Sequence, residues 1–222
     1  MDFQVKEGSF CGLIGPNGSG KTTFFNAISG AYPATSGRVI FKGKEITSWT
    51  PDRICHEGIA RTFQIPRPFR QMTVIENVMV GVLFGKTKRS VDDGHAREEA
   101  LKWLDFVGLN AQEVAMPHEL TAGNLRRLEM ARVLATKPEL FLADEIMSGL
   151  NREEIQSTSN VLKKIHTELG ITIIWVEHIM NALMNLVERV TVLDYGEVIA
   201  QGTPEEIAAN EKVIEAYLGV ED

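Results

Sequence analysis

Gly15, Pro16, Asn17, Gly18, Ser19, Gly20, Lys21, Thr22 and Thr23 run in the spacing G-x-x-x-x-G-K-[ST], a segment built to hold phosphate. Gly18 and Gly20 let the backbone curl so that successive N–H groups face one centre. Lys21 reaches terminal phosphates, and the Thr22 hydroxyl suits Mg²⁺. A second set of oxygens lies at Asp144-Glu145, behind the apolar run Leu140-Phe-Leu-Ala143. Asp144 is expected to hold Mg²⁺ together with Thr22, and Glu145 to polarise the water that attacks the γ-phosphate. Phosphoryl transfer needs positioning and charge compensation above all, which an acid beside the metal ligand supplies. His178 follows another apolar run and is expected at the same edge, where its imidazole can hydrogen-bond the γ-phosphate. Gln64 closes a strand-like run and is expected to complete the Mg²⁺–water shell.

These groups need strand ends and helix starts around them. Phe10–Ile14 reads as a buried strand feeding the phosphate loop, and a helix follows to Ile28, so phosphates would sit at its N-terminus. Residues 37–41 and a Lys42-Gly43-Lys44 turn predict an antiparallel hairpin. A short helix opens at Pro51, and 59–63 is strand-like. Helical character then takes over. Thr73 and Glu76 form a capping box for a helix to about Phe84, residues 86–94 are a polar connection, and helices span 96–107 and 124–135. The segment 115–122 is expected to be loop. Strand and helix alternate again from Leu140: strands at 140–143, 171–176 and 190–193, and helices from Asn151 to Gly170, over 180–187, from Pro204, and from Val213 to a stop at Gly219. The plan is an α/β core of mainly parallel sheet with an inserted helical subdomain. We expect a single domain over 1–222, divided into a core at 1–64 and 136–222 and helices at 65–135.

The chain carries a net charge of −7, which argues against nucleic acid or an anionic membrane as a general partner. Cys11 and Cys55 lack metal-ligand spacing and suit a reducing compartment. No apolar run approaches about 18 residues, and no signal peptide is apparent, so a cytoplasmic location is expected. His56, His95, His118 and His166 lie on polar faces or in loops and receive no role.

Taken together, the motifs resemble those of the nucleotide-binding subunit of ATP-binding cassette (ABC) transporters, over essentially the whole chain. GPNGSGKT at 15–22 corresponds to Walker A, Gln64 to the Q-loop, and LTAGN at 120–124 to the signature. LFLADE at 140–145 corresponds to Walker B, SGLN at 148–151 to the D-loop, and His178 to the switch histidine. ARTFQ at 60–64, LRRLEMARVLAT at 125–136, VEH at 176–178 and the GTPEEI…EAYLG tail are most similar to importers of branched-chain amino acids. Lipopolysaccharide-export ATPases share the tail and remain a rival.

The resemblance implies a P-loop NTPase fold with antiparallel N-terminal strands. It implies a head-to-tail dimer, with itself or a second ABC ATPase, that holds two ATPs. Thr121 and Gly123 of one subunit would contact the partner's γ-phosphate. The helical subdomain would receive an integral membrane permease, which places the protein peripherally on the cytoplasmic face of the cell membrane. Three departures stand out. Thr121, Ala122 and Asn124 replace the usual signature residues, and Ile146 stands where proline usually follows Walker B. Family members also carry an adenine-stacking aromatic well upstream of Walker A. Only fourteen residues precede Gly15 and Phe3 is too close, so that strand is expected to be missing. A regulatory module with weakened activity, or a soluble ABC ATPase of DNA repair or translation, are the alternatives. The latter lacks support in the absence of a coiled-coil insert, zinc cysteines or a second cassette.

Overall fold

The computed structural model describes residues 2–86 and 92–218. Most of the polar connection over 86–94, and the stop at Gly219, lie outside them. In order along the chain come β1 (Phe10–Ile14), α1 (Lys21–Ile28), β2 (Ile40–Phe41), β3 (Lys44–Glu45), α2 (Pro51–Glu57), β4 (Ile59–Arg61), α3 (Val74–Phe84), α4 (Asp93–Val107) and α5 (Ala122–Ala135). They are followed by β5 (Leu140–Asp144), α6 (Arg152–Leu169), β6 (Thr172–Val176), α7 (Met180–Met184), β7 (Arg189–Asp194), β8 (Glu197–Gly202), α8 (Pro204–Ala208) and α9 (Glu211–Leu218).

The sheet runs β4-β5-β6-β1-β7-β8, parallel throughout except for the antiparallel β7–β8 edge pair. Strands β1, β5 and β6 are buried along their whole length, which is why they read as unbroken apolar runs. Register does the positioning. Val176 pairs with both Leu13 and Asp144, so the chains leaving β1, β5 and β6 emerge side by side. Gly15, Glu145 and His178 are therefore delivered to one edge, the C-terminal edge where open parallel sheets bind ligands.

Sheet and helices share their packing. One apolar cluster joins Phe141, Ile173 and Trp175 of the sheet to Val78 of α3, Leu104 of α4 and Leu134 of α5. A second covers the opposite sheet face with Phe25, Ile46, Ile54 and Leu142. Phe3 belongs to the rim of that cluster, its ring edge-on to Phe24 at 4.9 Å between centroids.

Several elements are shorter or longer than their sequence pattern. The 37–41 strand keeps only Ile40–Phe41, because the Thr47 hydroxyl, not a backbone carbonyl, accepts the Val39 N–H. β4 stops at Arg61, since the Phe63 N–H turns away to the Glu129 carboxylate. α5 begins two residues early, at Ala122, because the Thr121 side chain caps it by accepting the Asn124 N–H. α7 ends at Met184, where the next N–H groups fold back on Leu183. The expected box at Asn151 and Glu154 does open α6.

Candidate functional site

The phosphate loop is shaped by close contacts within the chain. Gly15 has φ 153°, and a Cβ there would sit 2.0 Å from the Leu193 carbonyl oxygen, so only glycine fits beneath the β7–β8 turn. Gly20, at φ 105°, starts α1 from the left-handed region. The Gly196 N–H donates to the Ser19 carbonyl and pins the loop from that side. Lys21, only 6% exposed, donates to the carbonyls of Gly15 (2.7 Å) and Pro16 (2.9 Å). Burial lowers its pKa, while Glu145 and Asp144 pull it back up. An ammonium whose partners are uncharged carbonyls is ready to exchange them for phosphate oxygens. Asn17, Gly18, Thr22 and Thr23 are exposed around it.

Asp144 ends β5 at 3% exposure. Its Oδ2 accepts from Arg61 Nη2 at 2.6 Å, and its backbone N–H donates to Thr62 Oγ1. Arg61 also donates to Asn26 of α1 and to Ser29, which caps its C-terminus, so one guanidinium ties β4, β5 and α1 behind the loop. Sequence reading passed over Arg61. A charged residue inside Ile59–Thr62, an otherwise buried strand, was the available signal.

Glu145 is the point of convergence. Its Oε2 accepts from Gln64 Nε2 at 2.7 Å, and its Oε1 lies 3.0 Å from His178 Nε2. It has φ 45°, a conformation a glutamate adopts only when its surroundings hold it there. Its N–H donates to Val176 O, which anchors it to β6. Glu177, buried at the end of β6, braces the neighbouring backbone. One carboxylate oxygen accepts from His178 N and Ile179 N, and the other from Met147 N. Burial pushes its carboxyl pKa up against those three N–H donors. Glu177 was a second residue without a sequence-level role.

The structure thus gathers the phosphate loop, Gln64, Asp144, Glu145 and His178. Thr121 and Gly123 are not joined to them. The Thr121 hydroxyl caps α5, and the buried Gly123 N–H donates to Glu154 Oε1 at 3.1 Å. A Cβ at 123 would meet that carboxylate at 2.8 Å.

For a hard divalent cation the donors suit. The exposed Thr22 hydroxyl at the start of α1 and the Asp144 carboxylate at the end of β5 would offer it oxygens. Two such protein groups completed by phosphate and water are how Mg²⁺ is usually held. No cluster of three or more His, Cys, Asp or Glu suited to holding a metal ion is found among the described residues.

A phosphate loop beside a strand-end Asp-Glu pair, on this sheet, defines a P-loop ATPase. Residues 1–148 match the family described as ABC transporter, and 197–222 match Branched-chain amino acid ATP-binding cassette transporter. The chain is 36% identical over 230 residues to the high-affinity branched-chain amino acid transport ATP-binding protein LivG of Salmonella typhimurium, covering 99% of this chain and 90% of that protein. It is 35% identical, over the same shares, to BraF of Pseudomonas aeruginosa. Among solved structures, an ATP-binding cassette of an ABC transporter in its ADP conformation superposes with a TM-score of 0.87 at 32% identity, over 97% of this chain and 89% of that one. A dimeric bacterial ABC transporter cassette gives 0.82 at 29%, over 91% and 88%. The chain belongs to the ABC transporter family and is an ATP-hydrolysing, ATP-binding subunit of a transporter. The relatives favour the importer type over the exporter reading.

Proposed function

We propose that this chain powers uptake of branched-chain amino acids through a membrane permease. The observation that carries the catalytic part is the Glu145 carboxylate held between Gln64 and His178, one residue beyond Asp144. Lys21 and the loop N–H groups bind the triphosphate. Thr22 and Asp144 would hold Mg²⁺, with Gln64 on its water shell, and the ion would supply charge neutralisation at the β- and γ-phosphates. Glu145 orients the water that attacks the γ-phosphorus as the bond to the β–γ bridging oxygen breaks. His178 hydrogen-bonds the γ-phosphate and holds Glu145 in place. The solute follows from the relatives' names and the tail match.

Residues 65–135 form the helical subdomain on the 1–64 and 136–222 core. A cavity of about 410 Å³, lined by Ile54, Phe63, Arg67, Phe84 and Arg132, lies between them and receives the permease. Phe84 is 69% exposed on its rim, and Arg67 stacks over Phe63 at 5.3 Å, an apolar floor with basic edges. No described helix is long and apolar enough to cross a membrane, which suits a subunit held at the cytoplasmic face by its partner. Two copies, or this chain and a second cassette, close on ATP, with Thr121 and Gly123 reaching the partner's γ-phosphate.

The test is reconstitution with the permease in liposomes, with ATP and Mg²⁺ on the cassette side. Leucine uptake that follows ATP hydrolysis and stops with Glu145→Gln is the expected result. ATP hydrolysis that drives a polar amino acid but not leucine would overturn the solute assignment.

A further inference from the structure

Arg126 and Glu129 sit one turn apart on α5, with side chains 5% and 6% exposed. A buried pair of this kind adds little stability by itself, since desolvation offsets its attraction. Here both charges are spent on one neighbouring segment. Glu129 accepts the Phe63 N–H at 2.9 Å, and Arg126 donates to the carbonyls of Phe63 (2.9 Å) and Gln64 (2.6 Å). Its Nη2 also reaches the Glu145 carbonyl at 3.4 Å. Burial raises the Glu129 carboxyl pKa, with the Phe63 N–H and Arg126 opposing.

We propose that Arg126 is a positioning residue for ATP hydrolysis, fixing Gln64 and Glu145 relative to each other and to α5. The inference rests on the reading of Glu145 as the residue that orients water. One guanidinium nitrogen lies behind both backbones, and the two side chains meet in front at 2.7 Å. The result is a closed ring: Arg126, Gln64 and Glu145. Glu145 is held at φ 45°, so its carbonyl needs an outside anchor, and Arg126 is one. α5 is a continuous helix from Ala122, so Arg126 lies three residues from Gly123 on one rigid rod. Any displacement of the Thr121–Gly123 end is passed through this guanidinium to the carboxylate. A lysine cannot reproduce the grip, because a single ammonium nitrogen does not replace the two terminal nitrogens that divide the Phe63 carbonyl from the Gln64 and Glu145 carbonyls.

Three measurements on the purified full chain test this. Arg126→Lys, and the paired replacement Arg126→Met with Glu129→Leu that removes both buried charges, are compared with the parent by melting, ATP affinity and turnover. The expected result is kcat lowered about ten- to hundredfold, the fold-change of a lost charge-assisted hydrogen bond, with the ATP dissociation constant within about twofold. In a Gln64→Ala background, Arg126→Lys should cost less than about threefold further, since both act on one arrangement. Parent turnover in folded Arg126→Lys overturns the proposal. So does an undiminished loss in the Gln64→Ala background, which would mark Arg126 as a structural tie alone. Glu145→Gln hydrolysing at the parent rate would overturn the catalytic reading as well, and is a separate result from either.

Discussion

The phosphate loop and the signature end of α5 are both helix N-termini bearing glycines, yet one stands open and the other is filled. Around α1, Thr22 and Thr23 are exposed, and Lys21 rests on neutral carbonyls that it can give up. At α5, the Gly123 N–H is already bonded to Glu154, and the Thr121 hydroxyl already caps the helix. An anion therefore meets free donors at the first and a resident carboxylate at the second. The first gathers its lysine and its loop from one stretch of a single chain. The second presents its donors only when Glu154 moves aside, which fits a contact made with another subunit's nucleotide.

The comparison breaks most readily at its open end. Lys21→Ala should abolish detectable ATP binding by the isolated chain, since among the described residues no other lysine or arginine side chain hydrogen-bonds the loop; charge-assisted bonds of this kind account for at least about a hundredfold in affinity. Calorimetry reading unchanged affinity would sink the phosphate-loop assignment. Next in size is catalysis. Glu145→Gln should bind ATP normally but hydrolyse it about a hundredfold more slowly, and the trapped nucleotide should drive dimers seen by light scattering. Dimers without slowed turnover, or slowed turnover with lost binding, would each contradict the division of roles.

The filled end should respond differently. In Gly123→Ala the new methyl collides with the Glu154 carboxylate. Hydrolysis should fall about tenfold, roughly one hydrogen bond's worth, while ATP affinity of the isolated chain stays within about twofold. A parallel loss of affinity would show that the two ends are not separate. The smallest effect is on stability. Glu154→Ala removes the box partner of Asn151 and the acceptor of Gly123, and should lower unfolding free energy by about 1 kcal/mol in urea titration. A loss several times larger would mean that Glu154 holds the subdomain and not only a helix end.

Much of the site was legible because its parts are local. Glycine spacing sets the loop, and an unbroken apolar run ending in Asp144-Glu145 identifies a central parallel strand and its ligand edge. What was missed are charges whose partners lie far along the chain. Arg61 meets Asp144 across 83 residues, and Arg126 meets Gln64 across 62. Spacing along one segment carries no trace of such pairs. Element ends were misread for the same reason: Phe63 leaves β4 for a glutamate on α5, a partner no local pattern announces.

By itself, then, the sequence determined the phosphate loop, the strand that presents the acidic pair, and the capped starts of α3, α6 and α8, because each depends on residues within a few positions of one another. Only the tertiary structure decided that Gln64 and His178 close on Glu145 and that Arg126 holds the Q-loop backbone. It alone showed Glu154 occupying the Gly123 amide. Those contacts arise where parallel register aligns the ends of β1, β5 and β6 and where α5 packs against the sheet. For Arg126, with a side chain 5% exposed, burial leaves the charge no water to turn to, so it takes backbone carbonyls distant in sequence as its partners.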